Sequence, residues 1–174
     1  MNITFSSDLG KPTFKEYRQT AQLAEKFFKT ENTKNQLKTS KENSIWFYKN
    51  TPDSLNVIRI NGKIIGFTFT VLCNKTIMRQ FLSKKISEAK LFEKIKERGI
   101  NENNFETLYF CASVIIPKYQ RIGLGTKARV KTIQKLINIR NIKPILFSWP
   151  FTKEGEKLGL RVAKTSKLKL LIRK

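Results

Sequence analysis

Histidine is absent from this 174-residue sequence, and cysteine occurs only twice, at Cys73 and Cys111. Without an imidazole the chain cannot form the usual histidine-based nucleophile triads or the common zinc sites. Two thiols, each inside an apolar strand-like run, make neither a disulfide framework nor a metal cluster. We therefore expect two buried free thiols and no metal cofactor.

Acidic residues are also scarce, since 13 Asp and Glu stand against 35 Lys and Arg and give a formal charge of +22. A field of this sign attracts anions such as nucleic acid, acidic proteins or phosphorylated cofactors. Lysines scattered over a solvated surface are an equally good explanation. Because the basic residues form no stripe interleaved with aromatics, nucleic acid is a possible partner of this basic protein but not the favoured one.

Long apolar runs are missing as well, and none approaches the roughly 18 residues of a membrane span. The first residues, MNITFSSDLGK, lack the basic and apolar segments of a secretory signal. We therefore expect no membrane partner and a cytoplasmic location. The length suits one domain over 1–174, which can bury roughly 70% of its unfolded surface. Monomer and homodimer both remain open.

Hydrophobic periodicity and turn signals predict an alternation of helices and strands. A capping box precedes the first predicted helix, 13–28, and the second helix starts within 30–41 and runs through 47. Two more helices are predicted within 76–98, the second of them after Ser87. The last two predicted helices are 126–137 and 152–163. The predicted strands are 55–60 and 65–73 joined at Asn61-Gly62, then 107–116, 142–149 and 168–172. This order indicates an α/β (α+β) domain with a mixed sheet.

The most informative segment is 114–126, where an apolar strand enters a basic loop with Gly123 and Gly125 and then a helix. Glycines let the backbone approach an anion closely, and the positive end of the helix adds to the attraction. Acidic residues are absent from 107–153. A diphosphate is the predicted ligand, with Lys127 as a further phosphate contact.

A dinucleotide fingerprint is the main alternative, because 123–128 also satisfies G-x-G-x-x-A. That motif needs an acidic residue about 20 positions later to hold the ribose, and none is present. Six residues separate the strand end from Gly123, and 49 residues after Gly125 are too few for the rest of a doubly wound sheet. We therefore reject this alternative.

The run Gln120-Arg121-Ile122-Gly123-Leu124-Gly125 resembles the coenzyme-binding motif of the GNAT acetyltransferase family, Gln/Arg-x-x-Gly-x-Gly/Ala. The element order also follows that family over most of the chain. The resemblance implies a mixed, mostly antiparallel twisted sheet flanked by helices. Segment 76–98 would then be a helical insertion between the third and fourth strands.

The resemblance further implies an acetyl-CoA-dependent N-acetyltransferase, in which an amine attacks the thioester directly. Its acceptor would be an unknown small molecule or protein, possibly anionic. The strands that end near 116 and 149 would separate to admit the thioester. The implied cofactor-binding residues are Val114, Ile115, Ile116, Gln120, Arg121, Ile122, Gly123, Leu124, Gly125, Thr126 and Lys127. The alternative is a non-catalytic basic module that binds nucleic acid or acyl-CoA.

The catalytic groups are less well defined by the resemblance. Many family members protonate the departing thiolate with a tyrosine on the helix after the fifth strand, and 152–165 contains none. Ser148 and Tyr109 are our candidate acids, with Tyr119 or water as substitutes. Glu106 is our candidate general base, and Glu154 is the other carboxylate nearby.

Overall fold

In the computed structural model, residues 2–29 and 32–174 are described. The strands are β1 (Ile3–Phe5), β2 (Leu55–Ile60), β3 (Lys63–Cys73), β4 (Thr107–Ile115), β5 (Ile145–Ser148) and β6 (Leu170–Ile172). The helices are α1 (Ser6–Leu9), α2 (Phe14–Phe28), α3 (Lys41–Asn50), α4 (Lys75–Leu82), α5 (Glu88–Glu97), α6 (Leu124–Arg140) and α7 (Lys153–Ser166).

The six strands form one sheet in chain order. Strands β1 to β4 pair antiparallel, whereas β5 pairs parallel with β4 and β6 pairs parallel with β5. Helices α4 and α5 lie between β3 and β4, where the helical insertion was predicted. The structure therefore confirms the α/β (α+β) class with a mixed, mostly antiparallel sheet flanked by helices.

Local signals explain most of the element boundaries. Thr13 and Glu16 form the predicted capping box of α2, and Ser87 caps α5 by accepting a hydrogen bond from the amide of Lys90. Asn61 and Gly62 have φ values of 49° and 79°, which suits the tight turn between β2 and β3. The predicted helix start within 30–41 falls partly on residues 30 and 31, which lie outside the described residues.

The structure differs from the sequence-based expectations in several places. Helix α1 was not predicted, and β6 begins at Leu170 rather than at 168. Strand β1 was not predicted, because three residues are too few to show an alternating pattern. Strand β5 begins at Ile145 rather than 142, since Pro144 has no amide to donate to a neighbouring strand. Cys73 is buried and free as expected, but Cys111 is only partly buried.

Both faces of the sheet are covered by helices. On one face, Phe81 of α4 contacts the rings of Tyr109 and Phe147. On the other face, the guanidinium of Arg129 in α6 lies over the ring of Phe110. Since Tyr109 and Phe110 are consecutive, their side chains point to opposite faces of β4. Strand β4 therefore lies in the middle of the fold, between two helical layers.

Candidate functional site

Strands β4 and β5 are paired along only part of their length. The parallel ladder runs from Thr107 opposite Ile145 to Phe110 opposite Ser148. Strand β5 ends there, whereas β4 continues to Ile115 along its other neighbour, β3. The pairing of the two strands therefore ends at Phe110. Beyond it, the second half of β4 has no strand partner on this side among the described residues, and we call this unpaired edge the gap.

A β-bulge lies in β4 where this gap begins. Phe69 pairs with Ala112 and Thr70 with Phe110, so Cys111 is the extra residue. Arg129 fixes the bulge by donating hydrogen bonds to the carbonyls of Phe69 (3.2 Å) and Ala112 (2.6 Å). Burial lowers the pKa of this guanidinium to about 10. Arg129 is thus a structural cation inside the protein.

The glycine-containing loop follows the far end of β4. The side-chain amide of Gln120 donates a hydrogen bond of 2.7 Å to the carbonyl of Ile115, which ties the loop to the strand. Arg121 and Gly123 have φ values of 66° and 83°, in the left-handed region. Gly123 is the N-cap of α6, and no side chain caps this helix.

The amides of the loop are free to bind a ligand. In the described part of the chain, the backbone N–H groups of residues 121–126 have no acceptor, and the first such bond of α6 is from Lys127 to Gly123. The positive end of a 17-residue helix lies at the same point. Successive N–H groups beside a helix N-terminus form a binding site for an anion such as a phosphate.

Close packing holds the start of α6 in place. A Cβ atom on Gly125 would lie 3.3 Å from Oγ of Ser113, so the helix approaches β4 through this glycine. Leu124 and Ala128 are buried in a small apolar cluster with Phe5 of β1. The start of α6 is therefore packed against strands β1 to β4.

A shallow groove of about 750 Å³ extends from the loop between α6 and α7. Its cationic members are Lys127, Lys131 and Arg161. Lys131 is already paired with Asp8 at 2.7 Å, whereas no carboxylate lies within ion-pair distance of Lys127 among the described residues. The groove therefore has one positively charged wall, which suits a phosphorylated ligand.

The three candidate catalytic residues do not lie together. Glu106 precedes β4 at the opposite end of the ladder from the gap, and its carboxylate accepts a hydrogen bond from the amide of Lys75. Ser148 is the last residue of β5 and borders the gap. Tyr109 is 1% exposed, and its hydroxyl donates to Oε1 of Glu88 at 2.7 Å. Of the three, only Ser148 borders the gap.

Glu88 was missed by the sequence analysis. It is the first residue of α5 and is 5% exposed. Its Oε2 accepts a hydrogen bond of 2.9 Å from the amide of Leu37, and the thiol of Cys111 lies 3.8 Å from Oε1. Burial raises the pKa of this carboxyl group. In the sequence Glu88 looks like an ordinary acidic residue in a first helical turn, and only the fold places it beside the bulge.

A pocket lies on the same face of the sheet, between α2, α3, the segment 36–39 and the bulge in β4. Its empty volume, measured out to open solvent, is about 780 Å³. Cys111 and Ala112 line it, so the pocket reaches the strand that borders the gap. Six aromatic residues also line it: Tyr17, Phe28, Phe47, Phe67, Phe69 and Phe151.

Other classes of site are not seen in the described part of the chain. No group of three or more His, Cys, Asp or Glu side chains there could hold a metal ion. Among the same residues, no helix combines the length and hydropathy needed to cross a bilayer.

The fold is similar to that of acetyltransferases of known structure. The ribosomal-protein-alanine N-acetyltransferase from Brucella melitensis is 8% identical, and the match covers 93% of this chain and 91% of that one with a TM-score of 0.55. An aminoglycoside acetyltransferase from an uncultured soil sample, in complex with trehalose, is 15% identical, with 95% and 86% covered and a TM-score of 0.51. The chain therefore has the GNAT acetyltransferase fold, which confirms the resemblance seen at Gln120 to Gly125.

A further match is more distant in structure. Diaminobutyrate acetyltransferase from Paenibacillus lautus, in complex with L-2,4-diaminobutyric acid and coenzyme A, is 14% identical with a TM-score of 0.42. The match covers 79% of this chain, which spans 57% of that one. No protein-family model matches the sequence, and no curated protein matches it significantly.

Proposed function

We propose that this protein is an N-acetyltransferase that binds acetyl-CoA and transfers the acetyl group to an amine. The observation that carries the proposal is the row of unpaired amides at 121–126. These amides follow the second half of β4, which is the part of the strand that does not pair with β5. A diphosphate fits that row, because the amides, the helix N-terminus and Lys127 all favour negative charge. We treat 1–174 as one catalytic domain and 76–98 as an insertion within it.

The remaining cofactor contacts follow from placing the diphosphate at residues 121–126. In the proposed complex, Val114, Ile115 and Ile116 lie beside the pantetheine arm, and Gln120 keeps the loop attached to β4 through its bond to Ile115. Acetyl-CoA supplies the activated acetyl group, with its thioester in the gap near Phe110. Direct attack by a bound amine then needs no covalent enzyme intermediate.

Among the predicted catalytic residues, Ser148 remains our candidate for donating a proton to the leaving thiolate, because it ends β5 at the gap. Glu106 is held at the start of α4 by Lys75, beyond the other end of the ladder. The hydroxyl of Tyr109 is engaged by Glu88. We therefore assign Tyr109 a positioning role and no longer favour Glu106 as the base.

The proposal is tested by incubating the protein with acetyl-CoA and a panel of amines, including simple alkylamines, lysine peptides and O-phosphoethanolamine. We expect release of the CoA thiol together with an acetylated product detected by mass spectrometry. A protein that neither binds acetyl-CoA nor acetylates any amine, yet binds nucleic acid with a steep dependence on salt, would instead be the basic binding module.

A further inference from the structure

The pocket beside the bulge is lined by many aromatic side chains and one carboxylate. Aromatic rings form much of its wall, and Phe28 and Phe151 are half exposed at its edge. The faces of aromatic rings attract cations, because their π electrons carry partial negative charge. The apolar wall itself favours a ligand with a hydrocarbon or aromatic body. Both properties act against a carboxylate or phosphate as the ligand.

Glu88 is the one carboxylate among the described residues that line this pocket. Tyr109 and Cys111 both lie against Oε1, whereas Oε2 has the single bond from the amide of Leu37. Because each carboxylate oxygen can accept two hydrogen bonds, Oε2 retains capacity for a further donor. Lys38 is the one cationic side chain in the described lining, and it is exposed.

The position of Glu88 links the pocket to the gap. Its neighbour Cys111 is the extra residue of the bulge, which lies immediately after Phe110, where β4 and β5 separate. An amine bound to Glu88 therefore lies beside the same part of β4 as the proposed position of the thioester.

We propose that the pocket selects acceptors with a primary ammonium group on an apolar body, and that Glu88 binds this ammonium and removes its proton. This inference rests on the proposed acetyltransferase function and names its acceptor class. It replaces the expectation of an anionic acceptor, which was based on net charge alone.

The transfer balances with the groups named. The ammonium gives one proton to the Glu88 carboxylate, and the freed nitrogen lone pair forms a C–N bond with the thioester carbonyl carbon. When the C–S bond breaks, its electron pair leaves on the CoA sulfur. A second proton passes from the nitrogen to this thiolate, through Ser148 or water. Glu88 then releases its proton to solvent, which restores the carboxylate.

The test uses phenethylamine as the cationic probe and 3-phenylpropionate as an anion of similar size, both titrated into the protein by calorimetry. We expect phenethylamine to bind the wild type at least roughly tenfold more tightly than 3-phenylpropionate, since only the amine can pair with Glu88. Glu88→Gln should weaken phenethylamine binding by about tenfold or more. The control Glu93→Gln removes a carboxylate from the exposed side of the same helix and should not change it.

A second variant covers the case in which Glu88→Gln does not fold. Ala21 lines the pocket from α2 and is partly buried, so Ala21→Phe should fill the pocket and abolish phenethylamine binding. The inference is overturned if phenethylamine does not bind the wild type, if 3-phenylpropionate binds as tightly, or if either variant binds the amine within twofold of wild type. Acetyl-CoA binding, measured separately on the same samples, shows whether the proposed function fails as well.

Discussion

The hydroxyl of Tyr109 in β4 donates a hydrogen bond of 2.7 Å to Oε1 of Glu88 in α5, and both residues are buried. This bond joins the central strand to the helical segment that precedes it. Burial raises the pKa of Glu88, and the bond from Tyr109 opposes that rise by stabilising the carboxylate. In the proposed mechanism, Tyr109 therefore adjusts the basicity of Glu88 without contacting the amine.

Tyr109→Phe should lower the stability of the fold and raise the pH at which Glu88 becomes ionised. Loss of a buried hydrogen bond to a charged group costs about 2 kcal/mol in the free energy of unfolding, measured by urea denaturation. The pKa of Glu88 should rise further, so the acid side of the pH profile of kcat/KM moves to higher pH. Tyr48→Phe is the control, because Tyr48 is 39% exposed and makes ring contacts only with Phe14 and Tyr17 among the described residues. An unshifted pH profile in Tyr109→Phe would contradict this role.

Glu88→Gln should change how stability depends on pH. The groups facing Glu88 are the Tyr109 hydroxyl, the Cys111 thiol, the Leu37 amide and, at longer range, Arg173. Since burial raises the pKa of Glu88, the folded state holds its proton more tightly than the unfolded state does. The wild type should therefore lose stability relative to Glu88→Gln as pH rises from the ordinary carboxyl range through the raised pKa. Urea denaturation across that pH range measures the difference, and a constant difference would contradict the raised pKa.

Two lysines on one helix provide a matched comparison of ion pairs. Lys135 lies 2.6 Å from Asp53, whose side chain is 3% exposed, whereas Lys131 lies 2.7 Å from the more exposed Asp8. Lys135→Ala leaves a buried carboxylate without its partner and should cost about 3 kcal/mol of unfolding free energy. Lys131→Ala should cost less than about 1 kcal/mol. Equal losses in the two urea titrations would show that burial of Asp53 does not determine the effect.

The loop and the elements around it could be predicted from sequence, because their signals are local. A capping box at Thr13, the Asn61-Gly62 turn and the glycines after β4 each specify backbone geometry within a few residues. Glu88 could not be found this way. Its proximity to Cys111 joins residues 23 positions apart, and Arg129 reaches Phe69 across 60 positions. Such contacts depend on how strands and helices pack, which periodicity does not encode.

Strand β1 likewise could not be predicted from the sequence. Ile3, Thr4 and Phe5 pair with β2, and Phe5 is buried beneath the start of α6. Three residues show too little alternation to be recognised as a strand. The packing of the N-terminal residues against the start of α6 was therefore visible only in the structure.

The central claim, that the loop at 121–126 binds the diphosphate of acetyl-CoA, is tested most directly by calorimetric titration of acetyl-CoA into two glycine variants. Gly123 and Gly99 both have positive φ, at 83° and 58°, and a Cβ at either would meet no atom within 4 Å. Valine at either position thus imposes similar backbone strain, of roughly 1–2 kcal/mol. Gly123→Val should distort the loop and abolish binding, whereas Gly99→Val, at the opposite end of β4, should bind as the wild type does. Equal binding by both variants, or no binding by the wild type, would contradict the account.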